Sequence, residues 1–168
     1  MYYYKMYGLI VCSEFEMQAG YPALKQEYDV MVRMIKEDEV MPKLHIPDRQ
    51  LGVVKMIDDT IFWIRNGREI IIKPSEKTDW FNALQFVATE CLPVILFQRE
   101  IFTIHGSCIE LEDKAIVITG ESGAGKSSLA NEFVNSGYRM LADDTVGIRV
   151  DNEGVFTIPS FPQRRLVE

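Results

Sequence analysis

Residues Gly120-Glu121-Ser122-Gly123-Ala124-Gly125-Lys126-Ser127 follow the spacing G-x-x-x-x-G-K-[ST]. Glycines such as Gly123 and Gly125 take positive φ and let main chain approach a ligand closely. Loop amides and the first turn of a following helix then form a concave anion site. Lys126 adds a mobile positive charge for the outer phosphates of a nucleotide. Ser127 offers a hydroxyl to Mg²⁺, a hard ion that prefers oxygen. Gly120, Ser122, Ala124 and Ser128 complete the expected cradle. A glycine-rich turn that binds nothing is the competing reading, and the flanks argue against it. Ala115–Thr119 reads as a buried strand, and Ser128–Ser136 as a helix closed by Gly137. Strand, loop and helix together give the motif its required context.

Two adjacent carboxylates form the second feature. Tyr138–Ala142 reads as a short strand that ends in Asp143-Asp144. A strand–loop–helix–strand unit is a right-handed crossover, so both strands are expected to end on one edge of a parallel sheet. That places Asp143 and Asp144 beside the loop. A carboxylate there can hold Mg²⁺ or accept a proton from an attacking hydroxyl. A solvated acidic turn is the plain alternative. His105 closes a strand just ahead of the hairpin that feeds the loop. A histidine there can orient or neutralise nearby charges, although a lone histidine is as often structural.

These residues sit in a chain of 168 residues with a formal net charge of −7. The acidic balance argues against a nucleic-acid partner. The sequence shows no run of about 18 apolar residues, so no membrane span is expected. Cys12, Cys91 and Cys108 are scattered and odd in number, which suits reduced thiols and a cytoplasmic location. His45 and His105 stand alone, without zinc-like spacing.

The first hundred residues read as a separate β-rich unit. Strands are expected over Tyr4–Val11, Asp29–Ile35 and Gly52–Ile57, with Pro22, Pro42 and Pro47 in the loops. Asn66-Gly67 between two β-branched runs predicts a hairpin with a type I′ turn. From Thr78 the period becomes helical, with Thr78 or Asp79 as cap and Pro93 as a kink or stop. Leu129, Ala130, Phe133 and Val134 form one face of the loop helix, ready to pack on a sheet. Thr145–Val150 and Gly154–Ile158 read as a last hairpin.

His105-Gly106-Ser107, then Ile118–Ser128, then Gly137–Asp144 resembles the HPr kinase/phosphorylase family, over about residues 101–165. The resemblance implies a phosphoenolpyruvate-carboxykinase-like core and ATP- and Mg²⁺-dependent phosphorylation of a serine on a small protein. It implies Asp143 as proton acceptor, with Asp144 and His105 assisting and Ser127 with Asp144 on the metal. Tyr4–Ile10 with Ser13-Glu14 is similar to a variant group that includes the kinases of lasso-peptide gene clusters. The family's core continues well beyond Pro159–Pro162, so the core is expected to be incomplete at the C-terminus. Residues for the family's reverse, phosphorylase reaction would lie beyond Glu168. Arg164 and Arg165 read as a solvated pair. An open sheet edge in a fragment would favour pairing with another chain, so a homo-oligomer is allowed for.

The expected fold class is therefore α/β, a P-loop kinase core behind a small β-rich α+β domain. The expected division is 1–76 for the front domain, 77–100 for a connecting helix and 101–168 for the core. The expected function is transfer of the γ-phosphoryl of ATP to a serine of a peptide or small protein. Two other classes compete with it: a small-molecule kinase of the shikimate-kinase sort, and a non-catalytic nucleotide-dependent peptide-binding module.

Overall fold

The computed structural model describes residues 1–41 and 50–160. Pro42, His45, Pro47, Arg164 and Arg165 lie outside the described residues. The chain divides into two compact units, Met1–Glu100 and Ile101–Glu168.

The first unit is a mixed seven-stranded sheet with a helical segment packed on it. Its strands are β1 (Tyr2–Met6), β2 (Leu9–Ser13), β3 (Tyr21–Pro22), β4 (Val30–Met34), β5 (Leu51–Lys55), β6 (Ile61–Arg65) and β7 (Glu69–Lys73). They lie in the order β3-β1-β2-β4-β7-β6-β5. The aromatic run expected as one strand over Tyr4–Val11 is a hairpin. Tyr7 and Gly8 both take positive φ (50° and 72°) and fold Met6 back onto Leu9. The Asn66-Gly67 turn has φ of 57° and 60°, as a type I′ turn requires.

The helical segment runs unbroken through α1 (Trp80–Phe86), a wider turn at Val87–Cys91 and α2 (Leu92–Gln98). The Asp79 side chain caps it by accepting from the Asn82 amide. Pro93 does not end the helix: the π-type turn just before it absorbs the missing N–H and the ring clash. Trp80–Gln98 spans 19 residues, with mean hydropathy 1.4 in its most apolar window, so by length and composition alone it is long and apolar enough to cross a membrane. In this fold it is the core helix. Ala83, Val87, Ala88, Cys91, Leu92, Ile95 and Leu96 are fully buried, and Phe86 packs on Phe62 of β6 at 5.2 Å between ring centroids. Gln98 closes its end, accepting from Gly67 N–H at 2.8 Å and donating to Ile64 C=O at 3.0 Å.

The second unit is built around one ten-residue strand, β8 (Phe102–Leu111). His105 therefore lies inside a strand and does not close one. β9 (Lys114–Thr119) returns antiparallel along one side of β8, pairing Gly106 with Thr119. The loop follows, then α3 (Lys126–Asn135), ended by Gly137 at φ 94°. β10 (Met140–Ala142) and β11 (Thr145–Asp151) also pair antiparallel with β8, and β12 (Gly154–Ile158) pairs with β11. No parallel pair occurs among the described residues of this unit. β9 and β10 still run the same way, because each is antiparallel to the strand between them. Their C-terminal ends thus share one edge, as expected, but with β8 between them.

The core of this unit is small. Cys108, Ala142 and Val146 are buried, with Val117, Leu141 and Ile148 packed on them. Of the apolar face expected on α3 only Ala130 is buried; Leu129 is 50% and Val134 40% exposed. Phe133 instead meets Tyr138 edge-on, with ring centroids 5.6 Å apart.

Candidate functional site

The loop is set by backbone conformation. Gly123 and Gly125 take φ of 81° and 83°, values that L side chains rarely adopt, and Gly125 is the residue from which α3 starts. A Cβ at either would meet nothing within 4 Å, so the left-handed conformation and not crowding calls for glycine. Leu129 N–H bonds back to Gly125 C=O at 2.9 Å, the first helical bond, which leaves the amides ahead of it without intrahelical partners. Lys126 folds its ammonium onto the loop's own carbonyls, donating to Gly120 at 2.9 Å and Glu121 at 3.0 Å.

The register with β8 slips by one residue between Met140 and Ala142 and is then kept across Asp143 and Asp144. Ala142 faces Cys108 before them and Thr145 faces His105 after them, three residues on in each strand. The two aspartates thus lie opposite Ser107 and Gly106. They form a tight kink between β10 and β11, closed by Thr145 N–H donating to the Asp143 carbonyl at 2.9 Å, with both strands on β8. Asp144 carries the kink at φ 68°, a region that aspartate tolerates better than most residues. Its carbonyl still accepts from Gly106 N–H at 3.2 Å.

Strand alternation then assigns the partners. His105 and Ser107 stand two apart on β8 and share a face. His105 Nδ1 lies 3.4 Å from Asp144 Oδ1, with side chains 67% and 34% exposed. Ser107 donates to Asp143 Oδ1 at 2.9 Å, and the Asp144 amide donates to the same oxygen at 3.0 Å. Between them, Gly106 must lack a side chain, because a Cβ there would sit 2.4 Å from the Ile118 carbonyl oxygen of β9. That close approach brings the root of the loop against β8.

One cavity of about 520 Å³ gathers these groups. His105, Gly106, Ser107, Ser122, Gly123, Gly125, Lys126, Ser127, Ser128, Asp143 and Asp144 line it. Gly120 and Ala124 do not; they face each other across the back of the loop, where a Cβ on Gly120 would meet that of Ala124 at 3.6 Å. Gly106 and Ser107 enter the lining without having been singled out as site residues. The signal for Ser107 was its place two residues from His105 on a strand. Among the described residues no cluster of three or more His, Cys, Asp or Glu side chains suits a metal ion. The donor set instead fits Mg²⁺ of the kind held by one or two protein oxygens together with phosphates and water, with Ser127 and Asp144 on the same cavity.

Residues 98–161 match the family model of the HPr Serine kinase C-terminal domain. Over 52 residues the chain is 46% identical to an HPr kinase/phosphorylase of Geobacillus sp. (strain WCH70), covering 31% of this chain and 17% of that protein. An HPr kinase/phosphorylase of Lactobacillus acidophilus is 36% identical over 78 residues, 46% of this chain and 23% of the relative. One of Bacillus mycoides is 44% identical over 50 residues, 30% of this chain and 16% of the relative. The chain thus spans less than a quarter of the length of these relatives. No solved structure gives a significant match. Over the matched segment the chain is HPr kinase-like.

Proposed function

We propose that this chain binds Mg-ATP on the 120–128 loop and transfers the γ-phosphoryl group to a serine hydroxyl of a peptide or small protein. The observation that carries the reading is one cavity lined by the glycine loop, Lys126, Ser127 and both aspartates. Loop amides and Lys126 hold the phosphates, with the Lys126 ammonium exchanging its two loop carbonyls for phosphate oxygens. Ser127 and Asp144 hold Mg²⁺, which when bound supplies charge neutralisation on the phosphates. Asp143 takes the proton of the attacking hydroxyl, and His105 holds Asp144. Most of the acceleration then comes from positioning and charge stabilisation.

Residues 1–97 lie outside the family match, so what the front unit recognises is not carried over from the relatives. A tailoring kinase for a precursor peptide is the narrower form of the reading. The division at 76 and 100, with the second unit as kinase core, belongs to the same proposal. So does a cytoplasmic location, in keeping with three free and buried cysteines. Burial pushes the Cys91 and Cys108 thiols up, which keeps them protonated and unreactive.

Incubation with Mg-ATP followed by mass spectrometry of serine peptides and of a metabolite pool tests the assignment. Phosphate on peptide serine is expected, with turnover reduced about 10³-fold in Asp143→Asn. Phosphate on metabolites alone, or nucleotide binding without turnover in both proteins, contradicts it.

A further inference from the structure

We infer that Ser107 is a positioning residue that aims the Asp143 carboxylate at the acceptor hydroxyl. The inference rests on the phosphotransfer reading above and names a residue which that reading does not use. Ser107 is 2% exposed, yet it is among the residues that line the cavity. Its hydroxyl donates to Asp143 Oδ1, and so does the Asp144 amide. Both donors are on one oxygen. Among the described residues no hydrogen bond reaches Oδ2. The terminal torsion of an aspartate is broad, so one donor leaves the carboxylate free to swing. Two donors, one a β8 side chain and one the backbone of the kink, pin Oδ1 and leave Oδ2 unengaged on a residue that lines the cavity.

The consequence for the transfer is definite. The serine hydroxyl of the acceptor gives its proton to Oδ2 as its oxygen bonds to the γ-phosphorus. The bond from that phosphorus to the β–γ bridging oxygen breaks, and ADP leaves with the electron pair. Ser107 touches none of the reacting atoms. Its twin on the same strand face, His105, serves the other aspartate, so β8 addresses the two carboxylates separately.

The test compares the full chain with Ser107→Ala, Ser107→Thr, Asp143→Asn and the Asp143→Asn/Ser107→Ala double variant. Mg-ADP affinity is read by calorimetry, and ADP release from Mg-ATP in the presence of a serine peptide that the wild type phosphorylates gives kcat and KM. Ser107→Ala is expected to keep Mg-ADP affinity and KM within about twofold while kcat falls about tenfold, the loss of one charge-assisted hydrogen bond. Ser107→Thr, which keeps the hydroxyl, is expected to recover most of kcat. In the Asp143→Asn background, Ser107→Ala is expected to cost nothing further, because its effect runs through that carboxylate. Wild-type kcat in Ser107→Ala, or an added loss in the double variant, overturns the inference alone. Phosphate found on Ser107 after incubation with Mg-ATP also overturns it, since the serine would then be an acceptor. Failure of the wild type to bind Mg-ADP, or binding without turnover, overturns the kinase reading and this inference with it.

Discussion

Charged groups are arranged in opposite ways in the two units. In residues 1–100 Arg33 is buried and donates to Glu69 at 2.6 Å and twice to Glu39 at 2.6 Å. Arg65 completes the ring, reaching Glu69 at 2.6 Å and Glu39 at 3.2 Å. These hydrogen bonds outweigh the cost of burial at Glu69 and hold its carboxyl below the usual range. The Arg33 hydrogen bond is the main cause that holds Glu39 down to about 2. In residues 101–160 Lys126 has only loop carbonyls, Asp143 has one oxygen engaged, and His105 with Asp144 is open to solvent. The first arrangement satisfies itself and leaves nothing for a ligand. The second keeps spare donors and acceptors facing one cavity. Apolar burial follows the same division. Ile64, Ile70, Ile71, Ile72, Leu92, Ile95 and Leu96 are fully buried in the first unit, whereas the buried apolar residues described in the second are Cys108, Ile109, Ala130, Ala142 and Val146. Stability is concentrated where the charges are closed, and binding capacity where they are open.

That contrast breaks most visibly at Arg33. Arg33→Ala leaves Glu39 and Glu69 with Arg65 as their one shared cation and is expected to cost about 3 kcal/mol in denaturant unfolding, the lower end for a broken buried pair because Arg65 remains and both glutamates keep some solvent. Mg-ADP affinity is expected to stay within about twofold of wild type. Lys126→Ala is the mirror case. Calorimetry is expected to show about a 100-fold loss of Mg-ADP affinity, with the melting temperature unchanged. If Arg33→Ala weakens nucleotide binding as much as Lys126→Ala does, the division is wrong.

Acid sharpens the comparison. Glu39 has its folded pKa depressed from 4.5 to about 2, so its contribution is complete above 4.5 and lost as pH falls toward 2. Glu69 is lowered too and acts in the same direction. Thermal melts followed by circular dichroism are expected to decline through that window, and to decline less in Arg33→Ala. The smallest expected effect is at the helix cap. Asp79→Ala is expected to lower stability by about 1 kcal/mol with no change in nucleotide affinity.

Local chemistry was legible in the sequence where a short motif dictates a backbone. The loop glycines, the Asp79 cap, the Asn66-Gly67 turn and the Gly137 stop each depend on a few neighbouring residues, and each is where the motif puts it. Long-range pairing was not legible. Nothing in the strand patterns says that β8 inserts between β9 and β10, so the shared edge was reached through a parallel pairing that does not occur. Tyr7-Gly8 hides a turn because tyrosine is a strand former and gives no turn signal. The apolar stripe of α3 was read from period alone, and period does not reveal how much sheet lies beneath it. Ser107 carries no signal of its own in the sequence, because its role depends on register with Asp143, which lies 36 residues away.

The most direct measurement is calorimetric titration of ADP into the full chain with and without Mg²⁺, for wild type and Lys126→Ala. The account predicts saturable, Mg²⁺-dependent binding to the wild type that is lost in the variant. Folded wild-type protein that binds no nucleotide, or a Lys126→Ala variant that binds it equally well, would contradict the account.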